Sequence, residues 1–398
     1  MHSLKDMDFG GKRVLLRVDF NVPLDDAGRV VNDKRIRETL PTINYLVSKK
    51  AKIIVLTHVG RPSGDTTEEL RTTTISYHLS KLLHIPVKKI DDCIGANVHK
   101  AAAAMKPGDV VMLENVRFYD GEKNKDVKKR LEFAKQLALL ADIYVNDAFA
   151  NSHRDHASMT GVPQFIPGCM GFVVEQEVEK ISRALNEEKR PFISIVGGLK
   201  ADKLKAIKHL VKKSDKVLVG GSLAFLFLKA QGKHIGSTKI DEECDVSSNE
   251  LKELLKSNKI VLPTDCVLAD KFSRDARISV LATHQIKNGA IAVDIGPETI
   301  KSYTDAIKNA ATIVWNGPMG AYEIELFARG TNAVAHAIAS TNATKIIGGG
   351  ESAAAVEMNK LEGKMTHVST GGGASLMMFQ GDTLPALAAL EESAKKFI

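Results

Sequence analysis

Two unlike kinds of strand end constrain this chain more than any other feature. In the first half, the segments that close apolar bursts are basic: LLRVDFNVP at 15–23, IVLTHVGRPSG at 54–64 and MLENVRF at 112–118. In the second half they are glycine-rich: VGGLKADK at 196–203, VWNGPMG at 314–320, IIGGGESA at 346–353 and VSTGGGAS at 368–375. Arginine forks grip small anions with paired hydrogen bonds, whereas free amides at helix starts cradle nucleotide phosphates. One chain carrying both chemistries points to phosphoryl transfer across a cleft.

The bursts are short and rich in Val, Ile and Leu, as buried parallel strands are. Candidate strands 13–18, 52–57, 109–113 and 142–145 alternate with candidate helices 35–49, 72–83 and 123–140. The prolines and glycines of 160–171 are expected to break regular structure. Residues 172–189 then read as one long helix, either a bridge between domains or a surface helix of one. The rhythm resumes with candidate strands at 192–196, 216–219, 258–262, 290–293, 311–315, 345–347 and 366–369. A helical tail follows Pro385 and can pack back to join the two ends of the chain. An α/β chain of 398 residues exceeds one usual core, so two domains are expected. In open α/β sheets ligands sit beyond the carboxyl ends of the strands, which is where these motifs fall.

In the basic half, Asp19 and Asn21 follow the first strand, Arg35 opens a helix, and His58, Arg61, Arg117 and Arg154 follow later strands. Four arginines beyond separate strands converge if the sheet is parallel; the alternative for each one singly is a surface salt bridge. His58 can donate to the same anion, and Asp19 orients the arginines and limits their repulsion. His153 and His156 flank Arg154 with no third ligand in sight, and read as hydrogen-bonding loop residues rather than a metal pair.

In the glycine-rich half neither GxxxxGK[ST] nor GxGxxG occurs. Gly197 and Gly198 precede Lys200 and Lys203, lysines set either to neutralise phosphate or to be solvated. Gly220 and Gly221 lead an apolar helix suited to a flat adenine slot. Asn316, Pro318 and Glu323 lie beyond another strand, where Asn316 can touch phosphate and Glu323 can accept a ribose hydroxyl, while Trp315 reads as packing. Gly348, Gly349, Gly350, Glu351 and Ser352 form a strand–glycine–helix turn, in which Glu351 either helps hold Mg²⁺ or caps the helix. Gly371, Gly372 and Gly373 repeat the device, with amides available where charge builds on a moving phosphoryl group.

The net charge of +7 also suits a polyanion binder, but aromatic residues are only 5% and do not interleave with basic ones. Residues 121–135 read as the wet face of an amphipathic helix. A two-domain dinucleotide-dependent dehydrogenase is the other rival, without its glycine fingerprint. Cys93, Cys169, Cys244 and Cys266 form no CxxC pair, and no segment reads as a signal or membrane span, so a reducing cytoplasm is expected.

Taken together, DFNVP, THVGRP, ENVRF, NDAF…HR.HAS, GPET, WNGPMG, GGGESA and STGGGAS, in this order over nearly the whole chain, closely resemble the phosphoglycerate kinases. The resemblance implies an α/β fold of two doubly wound, Rossmann-like parallel-sheet domains joined by a helical hinge. It implies a phosphoglycerate-binding domain at 1–170, an interdomain helix at 171–189, a nucleotide-binding domain at 190–380 and a segment at 381–398 returning to the first domain. The implied reaction is reversible transfer between 1,3-bisphosphoglycerate and ADP, giving 3-phosphoglycerate and ATP, with Mg²⁺, in a cytoplasmic monomer with no nucleic-acid or membrane partner.

By the same resemblance, Asp19, Asn21, Arg35, His58, Arg61, Arg117 and Arg154 would bind the phosphoglycerate. Gly197, Gly198, Lys200, Lys203, Gly220, Gly221, Asn316, Pro318, Glu323 and the 348–352 turn would bind the nucleotide, with the metal near Glu351. Arg35, Lys200 and the amides at Gly372 and Gly373 would serve the transfer itself. Three departures stand out. GGLKADK sets its lysines three apart where the family commonly has four, a spacing that still allows one helix face. Glu351 replaces a metal-site aspartate. Asn151 and Asp155 alter the arginine loop.

Overall fold

The computed structural model describes residues 2–25, 27–62, 66–186, 189–241 and 246–397. They form two compact units, Met1–Val178 with Thr383–Ile398, and Glu179–Asp382. The first contains a six-stranded, wholly parallel sheet of β1 (Arg13–Val18), β2 (Lys52–Leu56), β3 (Val87–Lys89), β4 (Val110–Met112), β5 (Ile143–Asp147) and β6 (Gly168–Met170), in the order β3-β4-β2-β1-β5-β6. The central strands are apolar on both faces because both faces are covered. Val14, Leu16 and Val18 of β1, with Ile53 and Val55 of β2, meet Ile36, Ile43 and Leu46 of the helix Lys34–Ser48 and Ile75 and Leu79 of the helix Thr73–Leu83. Each such buried aliphatic side chain contributes roughly 1.5–3 kcal/mol.

The second unit begins with β7 (Phe192–Val196), β8 (Lys216–Val219) and β9 (Ile260–Val261), and continues with β10 (Asp265–Ala269), β11 (Ile278–Ala282), β12 (Ile291–Ile295), β13 (Thr312–Asn316), β14 (Thr344–Gly348) and β15 (His367–Val368). A second six-stranded parallel sheet runs β15-β14-β13-β7-β8-β9. Trp315 is fully buried and donates Nε1–H to the Gly317 carbonyl at 2.7 Å, so it packs and pins a turn. Tyr303, also fully buried, places its hydroxyl 2.7 Å from Val219 O and 2.9 Å from Val261 O, where one proton joins β8 to β9. In the second parallel sheet the chain winds outward in both directions from the central pair β7 and β13; in the first it does so from β1 and β5, except that β4 inserts between β2 and the edge strand β3. Every motif named above except GPET, which follows β12, therefore lies beyond the carboxyl end of a parallel strand.

Four expectations need correction. The strand expected at 290–293 is β12, and it belongs to no parallel sheet. It joins β10 and β11 in a three-stranded antiparallel sheet, β11-β10-β12. The signal is visible in TDCVLADKFSRDARISVLAT, two β-branched runs separated by a charged turn. The segment 160–171 is not irregular throughout. It contains a π-helical turn at Ala157–Gly161, a 3₁₀ turn at Val162–Gln164 and β6. Its glycines serve close packing: a Cβ at Gly161 would lie 2.5 Å from Ala134 Cβ, and one at Gly168 would lie 2.8 Å from Leu390 Cδ2.

The helix expected at 123–140 is two, Asp120–Lys123 and Val127–Ala138, because Asp126 caps a fresh start by accepting from Lys128 N at 2.9 Å. Lys200 and Lys203 do not share a helix face, since the helix begins at Lys203.

The helix Phe172–Asn186 carries the chain from one unit to the other; the remainder of its expected span includes Glu187 and Glu188, which lie outside the described residues. Asp147 at the end of β5 accepts from Val173 N at 2.8 Å and so caps that helix from a distance. The final helix, Pro385–Phe397, lies on the first unit, with Ala386 N donating to Ser152 O at 3.1 Å and Ser393 Oγ donating to Ile166 O at 3.1 Å. The chain start reaches the same region through a bridge between Ser3 and Met170.

One carboxylate ties the antiparallel sheet to the helix Pro297–Lys308. Asp265 accepts from Glu298 N at 3.0 Å, Thr299 N at 2.8 Å and Thr299 Oγ at 2.6 Å, capping the helix Pro297–Lys308. Asp265→Ala should lower stability by about 1–3 kcal/mol in denaturant unfolding. A loss below about 0.3 kcal/mol would show that the cap is not what holds β10 to that helix.

Candidate functional site

The parallel order of the first sheet brings its basic loops together. Asp19, nine-tenths buried after β1, accepts from Arg35 Nη1 at 2.8 Å, and its other oxygen lies 3.9 Å from His58 Nδ1. The carboxylate thus orients a guanidinium and offsets its charge. Asn21 accepts from Gly60 N at 2.8 Å, and Arg117 Nη1 donates to Gly60 O at 2.7 Å, so the loop bearing Arg61 is held from both sides. Arg61 itself is exposed. Arg154 donates from Nε to His153 Nε2 at 3.3 Å.

Electrostatics tie these side chains into one cluster. Burial, then Arg154 and Arg17, push the Arg117 guanidinium down to about 10. Burial first, then Arg17, Arg117, Arg154 and Arg35, hold His58 far below the ordinary imidazole value. Burial and then Arg154 bring His153 to about 4. Arg117 is 95% buried, yet its Nε and Nη2 have no hydrogen-bond partner. Buried donors are rarely left unpaired, and on a cation the shortfall is costly. An anion with two oxygens would supply what is missing.

Sequence reasoning passed over Arg17 and Glu122, both with no exposed surface. The signal for Arg17 was an arginine set between Leu16 and Val18 in a buried strand. Glu122 accepts from Ser158 N at 2.9 Å and Ser158 Oγ at 2.7 Å. Asp155 turns from Arg154 to Arg130, 2.6 Å away, and Asn151 is buried in the same loop.

In the second unit, β7, β8, β13 and β14 end on one cavity of about 360 Å³. Pro318, Met319 and Gly221 line it, together with Phe225 of the helix Gly221–Ala230, Ile291 of β12 and Phe272 of the turn joining β10 to β11 in the antiparallel sheet. That sheet, absent from the sequence reading, therefore supplies much of the apolar wall a flat ring needs. Glu323 and Glu351 stand at the same cavity. Gly197, Gly220 and Gly221 are there for backbone packing: a Cβ at Gly197 would lie 2.1 Å from Pro318 O, and one at Gly221 would lie 2.6 Å from Gly198 N.

The turn after β14 is different. Gly349 has φ +91°, Gly350 has open space at its Cβ position, and the helix Gly350–Met358 starts there. The helix Gly372–Phe379 starts alongside, since a Cβ at Gly372 would be 3.6 Å from Gly350 N. Asn316, almost fully buried, leaves its amide Nδ2 without a partner close to Gly349. Two adjoining helix starts and an unpaired amide form an anion cradle. Ser352 and Gly348 shape it from behind: Ser352 Oγ accepts from Gly317 N at 2.6 Å, and a Cβ at Gly348 would meet Phe379 at 2.3 Å.

The two lysines have separate surroundings. Lys203 is buried and donates to Gly197 O at 2.8 Å, with Glu351 Oε2 3.4 Å away; burial lowers its ammonium below the ordinary lysine value. Lys200 is exposed in the loop before the helix. Among the described residues no group of three His, Cys, Asp or Glu could hold a metal ion, and no helix is long and apolar enough to cross a membrane. Cys93, Cys169 and Cys266 are free and buried; Cys244 lies outside the described residues.

Two parallel α/β units, one with an arginine-lined anion cluster and one with a glycine-lined cradle beside an apolar cavity, define the class of two-domain phosphotransferases. The profile of the phosphoglycerate kinase family matches residues 4–382. The phosphoglycerate kinase of Moorella thermoacetica is 47% identical over 393 residues, covering 98% of this chain and 99% of that protein. That of Dictyoglomus turgidum is 48% identical over 394 residues, covering 98% of each. The solved phosphoglycerate kinase of Coxiella burnetii superposes with a TM-score of 0.86 at 37% identity, and that of Pyrococcus horikoshii with 0.84 at 35%, each over 100% of both chains. The chain belongs to the phosphoglycerate kinase family. The dehydrogenase and polyanion-binder alternatives fall away.

One carboxyl group at the cavity has a pH signature. Asp294 lines it, accepts from Gly330 N at 2.6 Å and Ile295 N at 2.9 Å, and is raised by burial to about 7. Below an ordinary value of 3.8 the group is protonated whether the chain is folded or not. Between there and about 7 only the folded form keeps its proton, so this contribution to stability is lost as pH rises through that window. Asp294→Asn should gain melting temperature relative to the parent between about pH 5 and about pH 8. A difference that stays flat over that range contradicts the burial argument.

Proposed function

We propose that the first unit binds the phosphoglycerate through Asp19, Asn21, Arg35, His58, Arg61, Arg117 and Arg154, and that the second binds ADP or ATP. The observation that carries this reading is the buried Arg117 guanidinium with two unpaired nitrogens among other cations. The apolar cavity takes the adenine ring, with Glu323 as acceptor for a ribose hydroxyl. Gly349, Gly350, Gly372, Gly373 and Asn316 Nδ2 take the phosphates.

Phosphoglycerate kinases transfer a phosphoryl group between an acyl phosphate and ADP. The attacking oxygen is already ionised in either direction, as a carboxylate or as a nucleotide phosphate, so no general base is needed. Positioning and charge neutralisation carry the chemistry. Arg35 and Lys200 clamp the equatorial oxygens of the moving group, aided by amides at Gly372 and Gly373. The exposed position of Lys200 suits a side chain that engages only when ligand is present. In-line transfer requires ligands carried by separate units to be brought together, with Phe172–Asn186 as the connecting element.

A lone half-exposed carboxylate, Glu351, fits a Mg²⁺ ion whose remaining ligands are phosphate oxygens and water. Such an ion, when bound, would neutralise charge on the nucleotide phosphates. Lys203 beside Glu351 keeps that carboxylate paired until then.

The direct test is a coupled assay with 3-phosphoglycerate and Mg-ATP. Arg35→Ala should reduce kcat about 100-fold or more, with the Kd for Mg-ADP within about two-fold of the parent's. Equal turnover in parent and variant would remove the clamp role.

A further inference from the structure

Behind the anion cluster lies a chain of buried polar groups that phosphoryl transfer alone does not call for. Glu122 Oε1 accepts the Ser158 hydroxyl proton at 2.7 Å, and Oε2 accepts from Ser158 N at 2.9 Å. With its proton given to Glu122, the Ser158 oxygen serves as an acceptor, and Arg17 Nε donates to it at 2.9 Å. Arg17 Nη1 donates to the Val18 carbonyl. Arg17 Nη2 lies 3.4 Å from His58 Nδ1. A guanidinium has donors only, so the ring nitrogen is the acceptor. An imidazole that accepts through Nδ1 carries its proton on Nε2.

We propose that Glu122, Ser158 and Arg17 form a positioning relay that holds His58 as its neutral Nε2–H tautomer, presenting one fixed donor to the phosphoglycerate. The relay rests on the assignment of the first unit as the phosphoglycerate site. The groups facing His58 from each side agree with it. Arg17 from β1, Arg35 from the helix Lys34–Ser48, and Arg117 and Arg154 from their loops all oppose a second proton on the ring. Asp19, 3.9 Å from Nδ1, favours one but lies beyond hydrogen-bond reach. A neutral donor adds a hydrogen bond to the anion without adding a further positive charge to a cluster already rich in them. A serine is suited to the middle of the relay because its hydroxyl donates to one partner while accepting from the other.

The test is ¹H–¹⁵N NMR of the imidazole nitrogens in the unliganded protein, beside steady-state kinetics. In the wild type, His58 should show a proton on Nε2 only and should remain neutral well below the ordinary imidazole range. Ser158→Ala should give mixed tautomers and raise KM for 3-phosphoglycerate about three- to ten-fold, with kcat within about two-fold. Ser158→Thr keeps the hydroxyl and should restore both. A wild-type ring protonated on Nδ1, or one titrating near its ordinary value, overturns the relay whether or not the variants fold. So does an Ser158→Ala protein with unchanged tautomer and KM, or a folded Ser158→Thr protein that restores neither. Because the ring is observed without substrate, a correct turnover assay with the wrong tautomer sinks the relay alone. Absent turnover with the right tautomer sinks the functional reading instead.

Discussion

Positive charge taken out of water is the constraint around which the first unit is built. Arg17 has no exposed surface and Arg117 is 95% buried, and each lies within the field of further arginines. A buried cation is costly unless paired and hydrogen-bonded. Asp19 and Glu122 offset part of the charge, and the carbonyls of Val18 and Gly60 take part of the hydrogen bonding. What remains is a guanidinium with two nitrogens facing no acceptor. The apolar strands and helices beneath hold the loops in this arrangement, and in the proposed reading an anion is the partner that completes it. On that proposal, binding would draw its strength from a deficiency already present in the folded protein.

The second unit meets negative charge by other means. Its side-chain cations are sparse at the cavity, and backbone amides at two adjoining helix starts take their place. The glycines that permit this divide into two groups. At Gly197, Gly220, Gly221 and Gly348 the space of a side chain is occupied by the protein's own atoms. At Gly350 that space is open. The first group lets strand ends and loops close on one another; the second leaves room for a ligand. Lys203, turned inward to Gly197 O and Glu351, belongs with the packing group in this state, while Lys200 remains in solvent.

The sheets were legible in the sequence because parallel strands buried on both faces leave continuous apolar runs, as RVLLRV in β1 and FISIV in β7 show. The loops proposed to bind ligands stand out in the sequence because they follow those runs directly. The antiparallel sheet was marked only by two β-branched runs about a charged turn, a weaker signal, because β11 leaves Ile278 and Val280 exposed and is not buried on both faces. With it went Phe272 and Ile291, walls of the cavity that no motif marks. Glycine was misread at 160–171 because composition cannot separate a glycine that turns the chain from one that admits Ala134 or Leu390. Arg17 and Glu122 escaped notice because their importance arises from burial and from Ser158, a partner distant in sequence from Arg17.

The most direct measurement is a crystal structure of the protein with 3-phosphoglycerate bound. Arg117 Nε and Nη2 should each be within about 3.2 Å of an oxygen of the ligand, with His58 Nε2 and Arg35 also in contact. A ligand seated elsewhere, with those two nitrogens still unpaired in the complex, would contradict the claim that the buried cationic cluster is the phosphoglycerate site.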